Sequence, residues 1–265
     1  MITHIHHNEQ TFTIDLLCPL DISISMHPEG PRAWYAEKMR IAPVLNKHFT
    51  GSVILGGNVN FNDIFFNPHA HGTHTETVGH IARELVSIEN ALPRYWWISK
   101  LISITPEKSA SNTGSMGTGD SIITLQQVQR ALGDTAPEAV IIRTLPNTLE
   151  KHTRQYSNTN FTYMHPDAAQ WLAARGVQHL LVDMPSIDRE EDGGELLAHH
   201  AFWNYPYQPR MEATITEMIF ADNAILDGAY LLNLQVSSFR NDAAPSRPVL
   251  YKILTPENGE NTVSP

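Results

Sequence analysis

Four of the chain's 14 histidines, His69, His71, His74 and His80, sit in one short stretch around Glu76 (HAHGTHTETVGH). Imidazole and carboxylate together are a donor set for zinc, manganese or ferrous iron. In extended backbone, side chains two residues apart share a face, so His74 and Glu76 point the same way and His80 keeps their parity. Gly72 lets the backbone bend or come close to a ligand. One histidine alone reads as solvated surface. Four with a glutamate, beside an apolar segment, read as a metal site.

A second stretch, DMPSIDREEDGGELLAHH over residues 183–200, offers Asp183, Ser186, Asp188 and the pair His199–His200. An acid at a strand's end is well placed for function, since loops on a rigid scaffold carry sites. Arg189 to Asp192 reads as a solvated charged turn. Neighbouring side chains diverge, so at most one of His199 and His200 serves as a ligand. Glu217 lies inside the apolar ATITEMIF, where a carboxylate needs a partner or an edge.

The elements that must hold these residues alternate between strand and helix. Apolar alternation predicts strand over 11–26, with a second β-like stretch at 52–61 (SVILGGNVNF). Ile81, Leu85, Ile88 and Leu92 fall at helical spacing, with Pro93 as a stop. Ile98 to Ile104 and Glu138 to Thr144 read as buried strands. Leu125, Val128 and Leu132 predict a helix closed by Gly133, and Pro166 to Ala174 a helix with proline in its first turn. Leu180 to Asp183 is a buried strand ending on an acid. Alternation returns at 213–219, 230–236 and 249–253. Residues 105–120 are the longest loop-like stretch and are expected to cover something. The whole predicts a mixed α/β protein.

Composition narrows the function. At 265 residues one core is the first expectation. With 42% hydrophobic and 17% charged residues the chain is too apolar for disorder. A net charge of −10 argues against nucleic acid and against an anionic membrane as partner. Cys18 is the only cysteine, which excludes an intrachain disulfide and a cysteine zinc finger. The opening MITHIHHNEQTF has no apolar run of the secretory kind, and no stretch nears the roughly 18 apolar residues of a membrane span. A cytoplasmic protein acting on a small molecule is expected. There is no G-x-S-x-G elbow, and the glycines of GSMGTG open no phosphate-cradling helix with a lysine.

His71-Gly72-Thr73-His74-x-Glu76-x-Val78-x-His80 resembles the HxGTHxDxPxH signature of the cyclase family, which includes kynurenine formamidase and isatin hydrolase. TIDLLCPL resembles that family's opening strand and AVIIRT its central strand. AAQWLAARGVQHLLVDMPSID resembles its helix–strand–loop, His199/His200 with Glu217 its later His…Glu pair, and APSRPVLYKI its closing strand. The resemblance implies a single domain over residues 1–265, of swivelling β/β/α-like type, with a mixed sheet or partial barrel and flanking helices. It implies one or two divalent ions, Zn or Mn, and a homodimer or homotetramer.

Carried over residue by residue, His74 resembles a ligand of the first metal, Glu76 stands where the family has a bridging aspartate, and His80 resembles the catalytic acid/base. One of His199 and His200, with Glu217, would bind a second ion. Three departures stand out: Glu76 replaces aspartate, Val78 replaces proline, and Ala70 stands where a ligand histidine belongs. Either flanking residue, His69 or His71, would supply the missing donor, with His69 favoured because His71 abuts the glycine turn. Ser186 and Asp183 are expected to support the ligands. Among Trp34, Tyr35, Trp96, Trp97 and Trp203, core packing is the commoner role. Trp203, beside the histidine pair, and more weakly Trp97, are candidates to wall a substrate pocket. The chemistry implied is hydrolysis of an amide, lactam or related carbonyl; a lyase or cyclase, or a metal-binding protein without turnover, is the alternative.

Overall fold

The computed structural model describes residues 1–110 and 117–254. Its frame is one large mixed sheet. In chain order the strands are β1 (Ile2–His7), β2 (Gln10–Asp15), β3 (His74–Thr77), β4 (Trp96–Ile104), β5 (Ala139–Thr144), β6 (His179–Val182), β7 (Thr214–Glu217), β8 (Gly228–Asn233), β9 (Ala243–Pro245) and β10 (Val249–Leu254). With the short Leu20–Asp21, which pairs with β10, they form an eleven-stranded sheet in the order β1-β2-β10-β8-β4-β5-β6-β7-β3-β9. The order runs from edge to edge, so the expected mixed sheet holds.

Its centre, β4-β5-β6-β7, is parallel, and every other pairing along the order is antiparallel. Parallel neighbours need crossovers, supplied by α1 (Leu125–Leu132), α2 (Pro166–Ala174) and α3 (Leu197–Trp203). Strand parity sorts the core. Val140, Ile142, Leu180 and Val182 pack under Val128, Leu132, Leu172 and Phe202 of the helices. Leu101, Ile141 and Leu181 face the other way, onto Ile22, Ile219 and Leu250. Because both faces are covered, AVIIRT is buried throughout, as a central parallel strand must be.

The helices begin where polar caps accept free N–H groups. Thr124 and Gln127 form a capping box on α1, and the His165 side chain accepts from the Asp167 N–H at α2. The third helix, α3, lies outside the sequence-based expectation because its cap is remote. Its preceding residue is Leu196, at φ 45°, and the N–H groups of Ala198 and His199 donate to the Asp188 carboxylate.

Three expected elements differ. The stretch 52–61 forms turns, with Gly57 N–H donating back to Ser52 O, and a strand starts only at Asn62. The expected helix over 81–92 is replaced by two single 3-10 turns, Val78–His80 and Ile88–Asn90. Long-range bonds take its backbone instead: Thr77 Oγ1 donates to Val86 O and Ile88 N–H donates to Asn241 O. The expected strand over 11–26 breaks into Gln10–Asp15 and Leu20–Asp21. Of the covering loop at 105–120, Glu107–Lys108 pairs with Ser121–Ile123, while 111–116 lie outside the described residues.

Candidate metal centre

The site forms where the carboxyl end of β7 meets the start of β3, the end of a parallel sheet at which ligands are generally found. Antiparallel register sets Glu217 opposite His74 and Ile215 opposite Glu76. Both β3 side chains therefore turn to one face, where His74 Nε2 lies 3.4 Å from Glu217 Oε2. The loop before β3 brings His69, whose Nδ1 is 3.0 Å from Glu76 Oε2. Its α3 position puts His199 Nε2 3.0 Å from Glu76 Oε1 and 3.7 Å from Glu217 Oε1. The 3-10 turn carries His80, stacked on His69 with ring centroids 4.4 Å apart.

Gly72 makes the approach possible. Its φ is +112°, and a Cβ there would meet Met26 Cγ at 3.2 Å and Ile24 O at 3.3 Å. His74 Nδ1 is in turn 3.0 Å from Gly72 O. If the carbonyl fixes Nδ1 as the protonated nitrogen, Nε2 is left with its lone pair facing the cluster.

Two groups beyond the expected set complete the site. Asp242, next to β9, lies 2.8 Å from His69 Nε2 and 3.6 Å from His80 Nδ1, and its own carbonyl accepts from Thr77 N–H. Asp188, noted in sequence only as a nearby acid, sits 2.5 Å from His199 Nδ1 while it caps α3. Nothing local in SFRNDAAP marks Asp242; 173 residues of chain separate it from His69.

Other expected residues fall elsewhere. His71 is no candidate ligand, since Nδ1 accepts from Asn67 N–H and Nε2 lies 2.7 Å from Glu37 O. His200 points away to Tyr205 O. Asp183 does not reach the cluster, because it accepts from Lys151 Nζ at 2.7 Å and from the N–H and hydroxyl of Thr144. Ser186 does line the site's cavity and accepts from Asp188 N–H. Trp203 is fully buried behind His199, its Nε1 donating to Ala213 O, so it backs the histidine rather than facing a substrate. Trp97 packs on His179 and under Arg94, away from the site. The cavity, about 350 Å³, is lined by Trp34, Asn67, Leu196 and Ser186 together with His69, His80 and Glu217. Trp34 and Leu196 hold left-handed backbone at φ 59° and 45°, as does Met218, next to Glu217, at 53°. Strained backbone of this kind gathers at functional sites.

Electrostatically, four carboxylates face four imidazoles. Burial opposes charge on Glu76, but the charge of His80 and hydrogen bonds from His199 and His69 hold it well below the usual range. Burial likewise opposes charge on His69, yet Asp242 and Glu76 push it up to about 10. Asp188 and Glu76 raise His199 against its burial. Protons on His69 and His199 thus offset part of the carboxylate charge and leave the rest to a divalent cation.

The residues fit such an ion. Three overlapping donor sets place their ligand atoms within 4.8 Å of one another: His69–His74–Glu76, Glu76–His80–His199 and His69–His80–Asp242. His74 Nε2 is buried with no hydrogen-bond partner, 3.4 Å from the Glu217 carboxylate. Buried polar atoms in folded proteins are nearly always satisfied, so this nitrogen and the carboxylate beside it point to a missing partner of positive charge.

In overall structure the chain is similar to a "predicted metal-dependent hydrolase" from Bacillus stearothermophilus, at 18% identity and TM-score 0.60, over 88% of this chain and 98% of that one. It is also similar to isatin hydrolase A from Labrenzia aggregata bound to benzyl benzoate, at 11% identity and TM-score 0.61, over 89% and 94%. A third likeness is an isatin hydrolase bound to the product analogue thioisatinate, at 14% identity and TM-score 0.56, over 89% and 92%. At these identities the likeness is one of fold. The sequence model of the Cyclase family, described as "Putative cyclase", matches residues 14–189. That span covers β3, the 69–80 cluster and Asp188, and the chain belongs to the cyclase family.

Proposed function

We propose that this protein is a metal-dependent hydrolase that cleaves a C–N bond in an amide, a lactam or an N-formyl aryl amine, with one or two divalent ions, Zn or Mn. The observation that carries this is the buried, unpartnered His74 Nε2, held in one donor set with His69 and Glu76 beside a cavity that His69, His80 and Glu217 line together with Trp34 and Leu196. A bound divalent cation supplies Lewis-acid polarisation of a carbonyl and lowers the pKa of water to about 7.

The chain's own groups take the other parts. His69, His74 and Glu76 would hold one ion; His199 and Glu217, sharing Glu76, would hold a second. Asp242 and Asp188 orient His69 and His199 through their far ring nitrogens, which fixes ring angle and tautomer. His80 faces the cavity and is the most exposed of the four imidazoles, its Nδ1 no closer than 3.6 Å to a carboxylate. It is placed to take a proton from water and return it to the leaving nitrogen. Trp34 and Leu196 form the apolar wall for the substrate.

Metal analysis of the purified protein tests the site, beside His74→Ala; absence of bound Zn or Mn, or no loss on substitution, would sink it. An activity screen over N-formyl aryl amines, isatins and small lactams tests the reaction, with His80→Ala as control. Turnover without C–N cleavage would make the protein a lyase or cyclase, and metal without turnover a binding protein.

A further inference from the structure

The charged run Arg189 to Asp192, expected as a solvated turn, has only Glu191 exposed, and two of its carboxylates hold neighbouring chain. Glu190 accepts from three successive N–H groups, those of Asn158, Thr159 and Asn160, at 2.5, 3.1 and 3.0 Å. Successive amides that converge in this way form an anion-binding concavity. The Tyr35 hydroxyl donates to the same carboxylate across 3.4 Å, while Tyr35 N–H donates to Ser157 Oγ at 2.9 Å. Asp192 accepts from Gly194 N–H and Leu196 N–H at 2.8 and 2.7 Å. None of these bonds reaches a residue of the metal centre.

Both held segments carry a wall of the cavity, Trp34 in one and Leu196 in the other. Trp34 and Tyr35 are the central residues of a turn closed by Ala36 N–H on Ala33 O, with φ of 59° and 55°. Glycine, asparagine and aspartate dominate turns with two positive φ values. Leu196 has φ 45°. Such backbone persists only where the surroundings over-determine it. For Trp34 they are the Tyr35 bonds and the edge of the buried Phe161 ring, 5.7 Å away between centroids, which follows the loop that Glu190 holds. For Leu196 the Asp192 carboxylate takes that part. We propose that Glu190 and Asp192 are positioning residues that keep Trp34 and Leu196 as preformed walls and so set how well an apolar substituent of the substrate binds. The proposal rests on reading the cavity as a substrate site.

Two measurements on the full chain test this, the first independent of turnover. Trp34 emission is isolated by subtracting the spectrum of Trp34→Phe in each background. In Glu190→Ala, acrylamide is expected to quench it more steeply, with circular dichroism and bound metal unchanged. Equal quenching in Glu190→Ala and the wild type overturns the proposal. The second measurement is steady-state kinetics on formanilide and 2-pyrrolidinone, an aryl and a small probe. A wall in place about a tenth of the time raises the apparent dissociation constant about tenfold. Glu190→Ala is therefore expected to raise KM for formanilide about tenfold, leaving kcat, and KM for 2-pyrrolidinone, near wild type. Asp192→Ala is expected to match it through Leu196, and Glu190→Gln, which keeps one accepting oxygen, to recover part of the loss. An equal rise in KM on both probes, or a fall in kcat alone, would make the run structural and overturns the proposal. If the wild type turns over neither probe, that counts against the hydrolase reading, and the quenching decides the role of Glu190.

Discussion

Two clusters of buried charge lie at the ends of the central strands, and they are built differently. At the end of β5 and β6, Lys151 Nζ donates to Thr144 O, Thr144 Oγ1, Asn147 Oδ1 and Asp183 Oδ2. Asp183 accepts in addition from the N–H and hydroxyl of Thr144. Every charge in that knot is answered by the chain itself. At the end of β7 the carboxylates outrun the fixed donors, and the buried His74 Nε2 finds no partner. Saturation marks a structural pair; a deficit of positive charge marks a place kept for something else. Asp183 and Asp188, five residues apart, serve different clusters: Asp183 meets Lys151, and Asp188 meets His199.

The widest test of that contrast is chemical. His80→Ala is expected to lower turnover about 10²–10⁴-fold, the usual range for losing a general acid/base, while bound metal stays at its wild-type amount. Steady-state kinetics beside metal analysis reads both, and equal loss of metal would make His80 a ligand. Next in size, Lys151→Met strands the Asp183 carboxylate. Unfolding in denaturant should show a loss of about 3–5 kcal/mol, with metal content per folded molecule unchanged. A stability loss below about 1 kcal/mol would erase the distinction between the clusters.

Asp242→Asn keeps an oxygen for the His69 ring but removes its charge. Metal affinity is expected to fall about 10–100-fold, read by competition with a chromophoric chelator. The smallest effect is in pH. In the metal-free protein the pKa of His69 is raised to about 10, above its ordinary value near 6.5. Its contribution to stability is therefore full below about pH 6.5 and is lost as pH rises through about 10. Metal binding has the opposite sign: the His69 proton must leave, so affinity rises roughly tenfold per pH unit over that window. Calorimetry in buffers of different ionisation enthalpy should find at least one proton released per ion near pH 7; none released would contradict the ligand role of His69.

Much of the frame was legible in the sequence. Val140 to Ile142 and Leu180 to Val182 are apolar on both faces because helices cover one side and loops the other, so a run with no alternation already meant buried parallel strand. The spacing of His74 and Glu76 worked because β3 really is extended there. What failed to show were contacts set by tertiary structure. Ile81 to Leu92 has helical periodicity, but Thr77 and Asn241 claim its backbone. His69 and His71 flank the vacant Ala70 alike, and only folding shows that Glu37 and Asn67 occupy His71. Asp242 carries no signal in its own neighbourhood. Trp97 and Trp203 were indistinguishable from pocket residues until their partners, Arg94 and Ala213, were in place.

The double service of Asp188 has a thermodynamic consequence. One carboxylate holds the first N–H groups of α3 and the far nitrogen of His199, so the helix and the site form one cooperative unit. An ion that binds only the assembled site stabilises whatever must be assembled with it, by about 2.7 kcal/mol when its concentration is a hundredfold above the dissociation constant. The amides of α3, none of which touches the ion, should then open about a hundredfold less often in the loaded protein. A short helix with leucine at its cap position thereby borrows its persistence from a metal that its own sequence never mentions.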